Sequence, residues 1–157
     1  MNCGRKANNL LIRALSADSP EWAALADYAE TASWRAGAFL ARCMRENRFA
    51  GWERVFAACS GDTPVGFCTL TARDELPESC AYTPFIGFVY VDPAYRGRRI
   101  SAEMIAAASD YARSLGYRTV YITSDEQGLY EKFGFTKRGN VRTSRGDMTQ
   151  LFAKPLE

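Results

Sequence analysis

Histidine is absent from all 157 residues, which removes the side chain most often used as a neutral-pH general base and as a metal ligand. Cysteine is present but unorganised. Cys3, Cys43, Cys59, Cys68 and Cys80 include no C-x-x-C pair, and an odd number completes no disulfide framework. No metal site is expected, and the thiols read as small apolar fillers, covalent thiol catalysis being a minor alternative with no activating group nearby in sequence. Long apolar runs are missing too. Stretches such as Phe85 to Val91 fall far short of the ~20 residues that span a bilayer. Leu10-Leu11-Ile12 is interrupted by Arg13 with no cleavage site behind it, so neither a membrane segment nor a secretory leader is expected and the chain reads as cytoplasmic. Charge of one sign is scarce: 20 Lys and Arg against 18 Asp and Glu leave a net +2. Arginines gather at 42–48, 96–99 and 138–145, but aromatic residues interleave poorly with them and no nucleic-acid partner is expected.

What is present is ordinary for a globular chain, with 47% hydrophobic and 24% charged residues. That is enough to close one core. No repeat, low-complexity tract or linker divides residues 1–157, which read as a single domain. Alternation over Asn8 to Ser16 predicts a strand. Ser19-Pro20-Glu21 predicts a capped helix start carrying the stripe Trp22, Leu25 and Ala29. A second helix from Trp34 carries Ala36, Phe39, Leu40, Cys43 and Met44 as core. Glu53 to Cys59 and Val65 to Thr71 flank Gly61-Asp62-Thr63-Pro64 as a hairpin. A polar loop follows, then a strand at Phe85 to Val91, a helix, a parallel strand at Thr119 to Thr123, a short helix over 127–133, and strands at Phe135 to Lys137 and Met148 to Lys154. The order β-α-α-β-β-β-α-β-α-β-β gives a mixed α/β sheet.

The densest signal is the segment from Phe85 to Ser101. An apolar strand breaks at Asp92-Pro93, because proline donates no ladder bond, and re-emerges as Arg96-Gly97-Arg98-Arg99 before a helix whose apolar face is Ile105, Ala108, Ala112 and Leu115. The first turn of a helix carries free N–H groups and the positive end of its dipole. With three arginines beside it, that place suits a phosphate.

Arg96-Gly97-Arg98-Arg99-Ile100-Ser101 and, further on, Gly128-Leu129-Tyr130-Glu131-Lys132-Phe133-Gly134-Phe135 resemble the two ordered landmarks of GNAT-type N-acetyltransferases. The first is an acyl-CoA pyrophosphate loop R/Q-x-x-G-x-G/A; the second is a tyrosine before the next strand. The resemblance covers roughly residues 52 to 154. It implies the GNAT-like acyl-CoA N-acyltransferase fold and acetyl-CoA as co-substrate, with transfer to a primary amine by direct attack in a ternary complex. It places Val89, Tyr90 and Val91 along the pantetheine arm and Gly97, Arg98, Arg99, Ile100, Ser101 and Ala102 around the pyrophosphate with Arg96. Thr123 stands where the family often has a pantetheine-binding asparagine. Tyr130 becomes the general acid that returns a proton to the CoA thiolate. Two positions depart from the pattern: the family glycine is Arg99, which is expected to keep a negative φ in the helical first turn, and the sixth position is Ser101, whose hydroxyl can donate to a phosphate oxygen.

The family often keeps a glutamate base on the strand before the loop, and Phe85 to Val91 has none. Glu78, Asp92, Asp125 and Glu126 are the nearby acids, each read as a surface charge, which leaves water as the proton route. The acceptor is expected against the first two helices and the loop from Arg73 to Thr83, with Asp27, Glu30 and Trp34 as candidates to receive a cationic amine. The acceptor is a small-molecule or peptide amine, and exposed sheet edges suit a homodimer. The alternative reading is a non-catalytic acyl-CoA-binding module.

Overall fold

The structure is a computed structural model and describes residues 10–157. Cys3 and the Asn8–Asn9 start expected for the first strand lie outside the described residues. In chain order the elements are β1 (Leu10–Leu15), α1 (Trp22–Thr31), α2 (Arg35–Arg45), β2 (Arg54–Ser60), β3 (Thr63–Thr71), β4 (Phe85–Val91), α3 (Ile100–Ser114), β5 (Thr119–Ser124), β6 (Thr136–Arg142) and β7 (Met148–Pro155), with 3₁₀ turns at Pro93–Tyr95 and Tyr130–Phe133. The expected mixed α/β order is observed. The helix expected over 127–133 is instead the single 3₁₀ turn at its end, where Gly134 at φ +91 stops it.

The seven strands form one sheet in the order β1-β2-β3-β4-β5-β7-β6. Every neighbouring pair is antiparallel except β4 and β5. Helix α3 covers one face, burying Ile100, Met104, Ile105, Ala108 and Ala112 against Phe56, Cys68, Leu70, Ile86, Val120, Ile122 and Phe152. Helices α1 and α2 cover the other, where Leu25, Ala29, Leu40 and Met44 pack on Val55, Ala57, Phe67 and Tyr90. A sheet buried on both faces explains why β2 to β4 read as continuous apolar runs rather than alternating ones. The last residue of the expected α3 stripe, Leu115, is 41% exposed. It follows the end of the helix, where the Tyr117 N–H returns to the Ala112 carbonyl at 3.2 Å and Gly116 takes φ +96.

Two local expectations differ. Ser19 does not cap α1 through its side chain: its Oγ accepts the Ser16 N–H at 3.0 Å and closes a turn, and the helix starts three residues later, at Trp22. Phe39 is not core. It is 40% exposed and its ring stacks on Phe88 at 6.2 Å, because α2 runs along the edge of a cleft rather than wholly against the sheet. Among the described residues no helix is long and apolar enough to cross a membrane.

The feature that positions a site is the β4–β5 pair. A single register contact, Phe85 to Tyr121, joins them, fixed by the Tyr121 N–H to the Pro84 carbonyl at 3.0 Å. Beyond it no register pair joins the two strands, and residues from both line a cleft together with the start of α3 and Leu129 and Tyr130. A crevice at the carboxyl ends of parallel strands is a general ligand position in α/β sheets.

Candidate active site

A cleft of about 1360 Å³ opens where β4 and β5 part. Of the site residues expected from sequence, Val89, Tyr90, Val91, Arg96, Gly97, Arg99, Ile100, Ser101, Thr123 and Tyr130 all line it. Arg98 and Ala102 lie off it. The Arg98 guanidinium sits over the Tyr95 ring, 4.9 Å from its centre, and Ala102 is half-buried one step further along α3.

At one end is the start of α3. Arg99, expected at negative φ, instead adopts φ +63, and Gly97 is at φ +80. The reason is geometric. The left-handed turn lets the Arg99 carbonyl accept the Glu103 N–H at 3.1 Å and begin the helix, while the first-turn N–H groups remain unpaired toward the cleft. The backbone keeps the shape that glycine would take freely, at a cost of about 1 kcal/mol for a side-chain-bearing residue. Arg99→Gly is therefore expected to raise stability by about 0.5–1 kcal/mol in denaturant unfolding, the relief of strain exceeding the added unfolded-state freedom; a loss of stability would contradict it. Arg96 is held in place by Nε donating to the Val91 carbonyl at 3.0 Å, its guanidinium over Tyr90.

Along the cleft floor β4 is irregular. Its register against β3 shifts between Phe67 and Thr69, with Tyr90 and Gly87 as their partners, so Phe88 and Val89 are an insertion of one residue. Phe88 takes φ +50. A bulge of this kind leaves main-chain groups unpaired and redirects side chains. Here it turns Phe88 onto α2, where Trp34, Phe39, Phe88 and Tyr90 form an aromatic wall. Trp34 stacks on Tyr90 at 5.7 Å and 4° and meets Phe88 edge-on at 6.2 Å. The Tyr90 hydroxyl is bonded to Ser33 at 3.1 Å.

Opposite stands Tyr130, 7% exposed, its ring against Phe133, Phe135 and Phe152. Burial, with Glu126 adding, pushes its phenol up to about 12, so it remains protonated throughout the neutral range. Thr123 lines the same wall, but its hydroxyl donates to Glu75 Oε2 at 2.8 Å. Asp125 and Glu126 line the cleft, whereas Asp92 accepts the Ala94 N–H at 2.9 Å and caps the 3₁₀ turn. Glu78 is an exposed loop residue off the cleft. Of the acceptor-side candidates only Trp34 reaches the cleft. Asp27 and Glu30 sit on the outer face of α1, both paired with Arg45. Burial raises the Cys43 and Cys59 thiols and pushes Cys68 up to about 12.

Sequence reading placed the loop of Asp74 and Glu75 on the acceptor side without singling either out, and missed Phe88 and Arg145; all four line the cleft. One available signal was Gly87, a glycine inside an apolar strand, which marks a bulge or a close approach.

The profile of the Acetyltransferase (GNAT) family matches residues 13–135. An L-2,4-diaminobutyric acid acetyltransferase from Streptomyces avermitilis is 46% identical over 57 residues, a stretch covering 36% of this chain and 29% of that protein. Aminoglycoside 6'-N-acetyltransferase complexed with coenzyme A superposes with a TM-score of 0.70 at 17% identity, covering 94% of this chain and 97% of that one. The Salmonella typhimurium protein yncA, solved with its cofactor acetyl-CoA, does so at 0.64 and 17%, covering 96% and 95%. At such identities the structural likeness is one of fold. The fold, the helix start open to an anion and the family profile across most of the chain agree: this chain belongs to the GNAT acetyltransferase family.

Proposed function

We propose that residues 1–157 form one acetyl-CoA-dependent N-acetyltransferase domain that passes the acetyl group directly to the primary amine of a small molecule. One observation carries the reading: the anion-accepting start of α3 and the Tyr130 phenol open into the same cleft, on either side of the β4–β5 parting. The residues present fit acetyl-CoA. Free N–H groups at Ile100 and Ser101, with Arg96 and Arg99 near them, receive the pyrophosphate. The main chain of β4 at Val89 and beyond, unpaired on its β5 side, receives the pantetheine amide groups. Bound there, acetyl-CoA supplies an activated thioester. The protein's own part is to hold it, exclude water along the aromatic wall and move protons.

Tyr130 is the general acid. A phenol that stays protonated and reaches the cleft can hand its proton to the departing sulfur, a step of the kind worth about 10²–10⁴ in rate. Thr123, which lines the same wall and donates its hydroxyl to Glu75, lies along the path of the pantetheine arm. The partial match to a diaminobutyric acid acetyltransferase makes L-2,4-diaminobutyrate the first acceptor to try, and the aromatic wall with Arg35 and Arg145 near the mouth suits a compact amine bearing an anionic group.

A thermal-shift titration with acetyl-CoA, CoA and ATP at physiological salt tests the co-substrate. A ligand at about 100-fold its Kd adds about 2.7 kcal/mol to the folded state, or about 5–10 °C for a chain of this size. Acetyl-CoA and CoA are expected to give that shift and ATP none. No shift with either CoA species would contradict the reading.

A further inference from the structure

Strand β4 carries no carboxylate, yet the structure sets one against it. Asp74 belongs to the loop between β3 and β4. Its N–H is bound by Thr71 Oγ1 at 3.2 Å and its backbone then turns left-handed, at φ +51. That turn folds the side chain over β4 onto Gly87. A Cβ at position 87 would lie 2.7 Å from the Asp74 Cγ and 2.9 Å from Oδ2, so any residue but glycine would expel the carboxylate. Gly87 is paired with Thr69 immediately before the bulge at Phe88. The carboxylate thus lines the cleft beside the main chain that the bulge turns out of the ladder.

On the transferase reading above, we propose that Asp74 is the general base, reached from the β3–β4 loop instead of from β4 itself: it takes a proton from the acceptor's ammonium group and frees the nitrogen lone pair to attack the thioester carbon. The N–C bond forms and the C–S bond breaks. Tyr130 gives its proton to the sulfur, and the second proton shed by nitrogen restores Tyr130 through solvent. One proton leaves by way of Asp74, which balances an ammonium and a thioester against an amide and a thiol.

The surroundings suit a base. Glu75 on the same loop, Tyr130, Asp125 and Glu126 beyond β5, Arg35 at the start of α2 and Arg145 in the β6–β7 loop are ionisable groups that line the same cleft, as are Tyr90, Tyr95, Arg96 and Arg99. Among the described residues no ion pair joins any of these arginines to Asp74. Burial, with the Glu75 charge adding, raises the carboxyl from 3.8 to about 7, and only the Glu75 N–H pulls the other way. A base poised near the working pH is the efficient choice.

The test compares wild type, Asp74→Asn and Asp74→Glu between pH 5.5 and 8.5 with two acceptors, L-2,4-diaminobutyrate and hydroxylamine, the second already an unprotonated nucleophile at neutral pH. Wild-type kcat/KM for the diamine is expected to rise with pH through about 7, because the carboxylate must be ionised to act. Asp74→Asn is expected to lose about 100-fold on the diamine and its rising limb, and to lose less than tenfold on hydroxylamine. Asp74→Glu is expected to recover part of the diamine activity. Unfolding gives a readout free of turnover. With its folded pKa raised, Asp74 holds a proton in the native state that the unfolded chain releases between about pH 4 and 7, so stability falls as pH rises through that window. The Tm of Asp74→Asn relative to wild type is therefore expected to climb from pH 5 to pH 8. A wild type that binds acetyl-CoA and turns over with no rise near pH 7, or an Asp74→Asn variant equally impaired on both acceptors, overturns the assignment. A wild type that takes up no acetyl-CoA overturns the transferase reading itself, and the proposal with it.

Discussion

Tyr130→Phe is expected to lower kcat by about 100-fold or more while leaving the Kd for acetyl-CoA within about twofold. The substitution is clean because the ring does the packing: it lies 6.0 Å from Phe152 and meets Phe133 and Phe135 edge-on, contacts that phenylalanine keeps. Only the hydroxyl is removed. Burial holds the phenol near 12, so it stays protonated across the pH range of the assay. Without it the thiolate must leave unprotonated or take a proton from water. The loss should fall on kcat and kcat/KM together, as for an interaction made only in the transition state. Unchanged turnover in Tyr130→Phe, with the Tm retained, would contradict the acid role. A drop in both Tm and acetyl-CoA affinity would instead mean that the hydroxyl is structural.

The largest expected effect on stability is at Gly37. It lies inside α2, buried, where a Cβ would overlap the carbonyl oxygen of Ala29 in α1. Alanine normally favours a helix interior over glycine by about 1 kcal/mol. Here backbone approach reverses the sign. Two helices that meet at a glycine cannot separate without pulling Leu25, Ala29, Leu40 and Met44 off the sheet. Overpacking of this kind costs about 1–3 kcal/mol, and Gly37→Ala should lower the Tm by about 2–12 °C. Since Trp34 and Phe39 ride on the same helix and wall the cleft, KM for the amine should rise with the loss. A Tm within about 1 °C of wild type would mean that the helix pair has slack the structure does not display.

The sequence exposed the parts of this molecule that depend on near neighbours. Pro93 had to end β4 and Gly116 had to end α3, and the apolar period between them had to be a helix, so a strand, an anion-accepting turn and a helix start could be read directly. Tyr130 was legible from its own short motif. What escaped were features set by partners distant in the chain. The left-handed φ of Arg99 is imposed by the turn that links Gly97 to the Glu103 N–H, and no side-chain preference announces it. Phe39 reads as core in a stripe of every third or fourth residue, yet Phe88 takes it to the cleft because β4 bulges. Asp27 and Glu30 looked available for an amine until Arg45, most of two helices away, was seen to hold both. Asp74 was invisible for a related reason. A carboxylate in a polar loop is ordinarily solvated, and its place here depends on the missing side chain of Gly87.

The most direct measurement mixes purified protein with acetyl-CoA and L-2,4-diaminobutyrate, and follows free CoA thiol, the mass of the amine and the intact mass of the protein together. The account predicts equal amounts of CoA and mono-acetylated amine and a protein of unchanged mass, because in this account transfer is direct and burial keeps Cys43, Cys59 and Cys68 in the thiol form. An acetyl group left on the protein, or no release of CoA from a chain that binds acetyl-CoA, would contradict it.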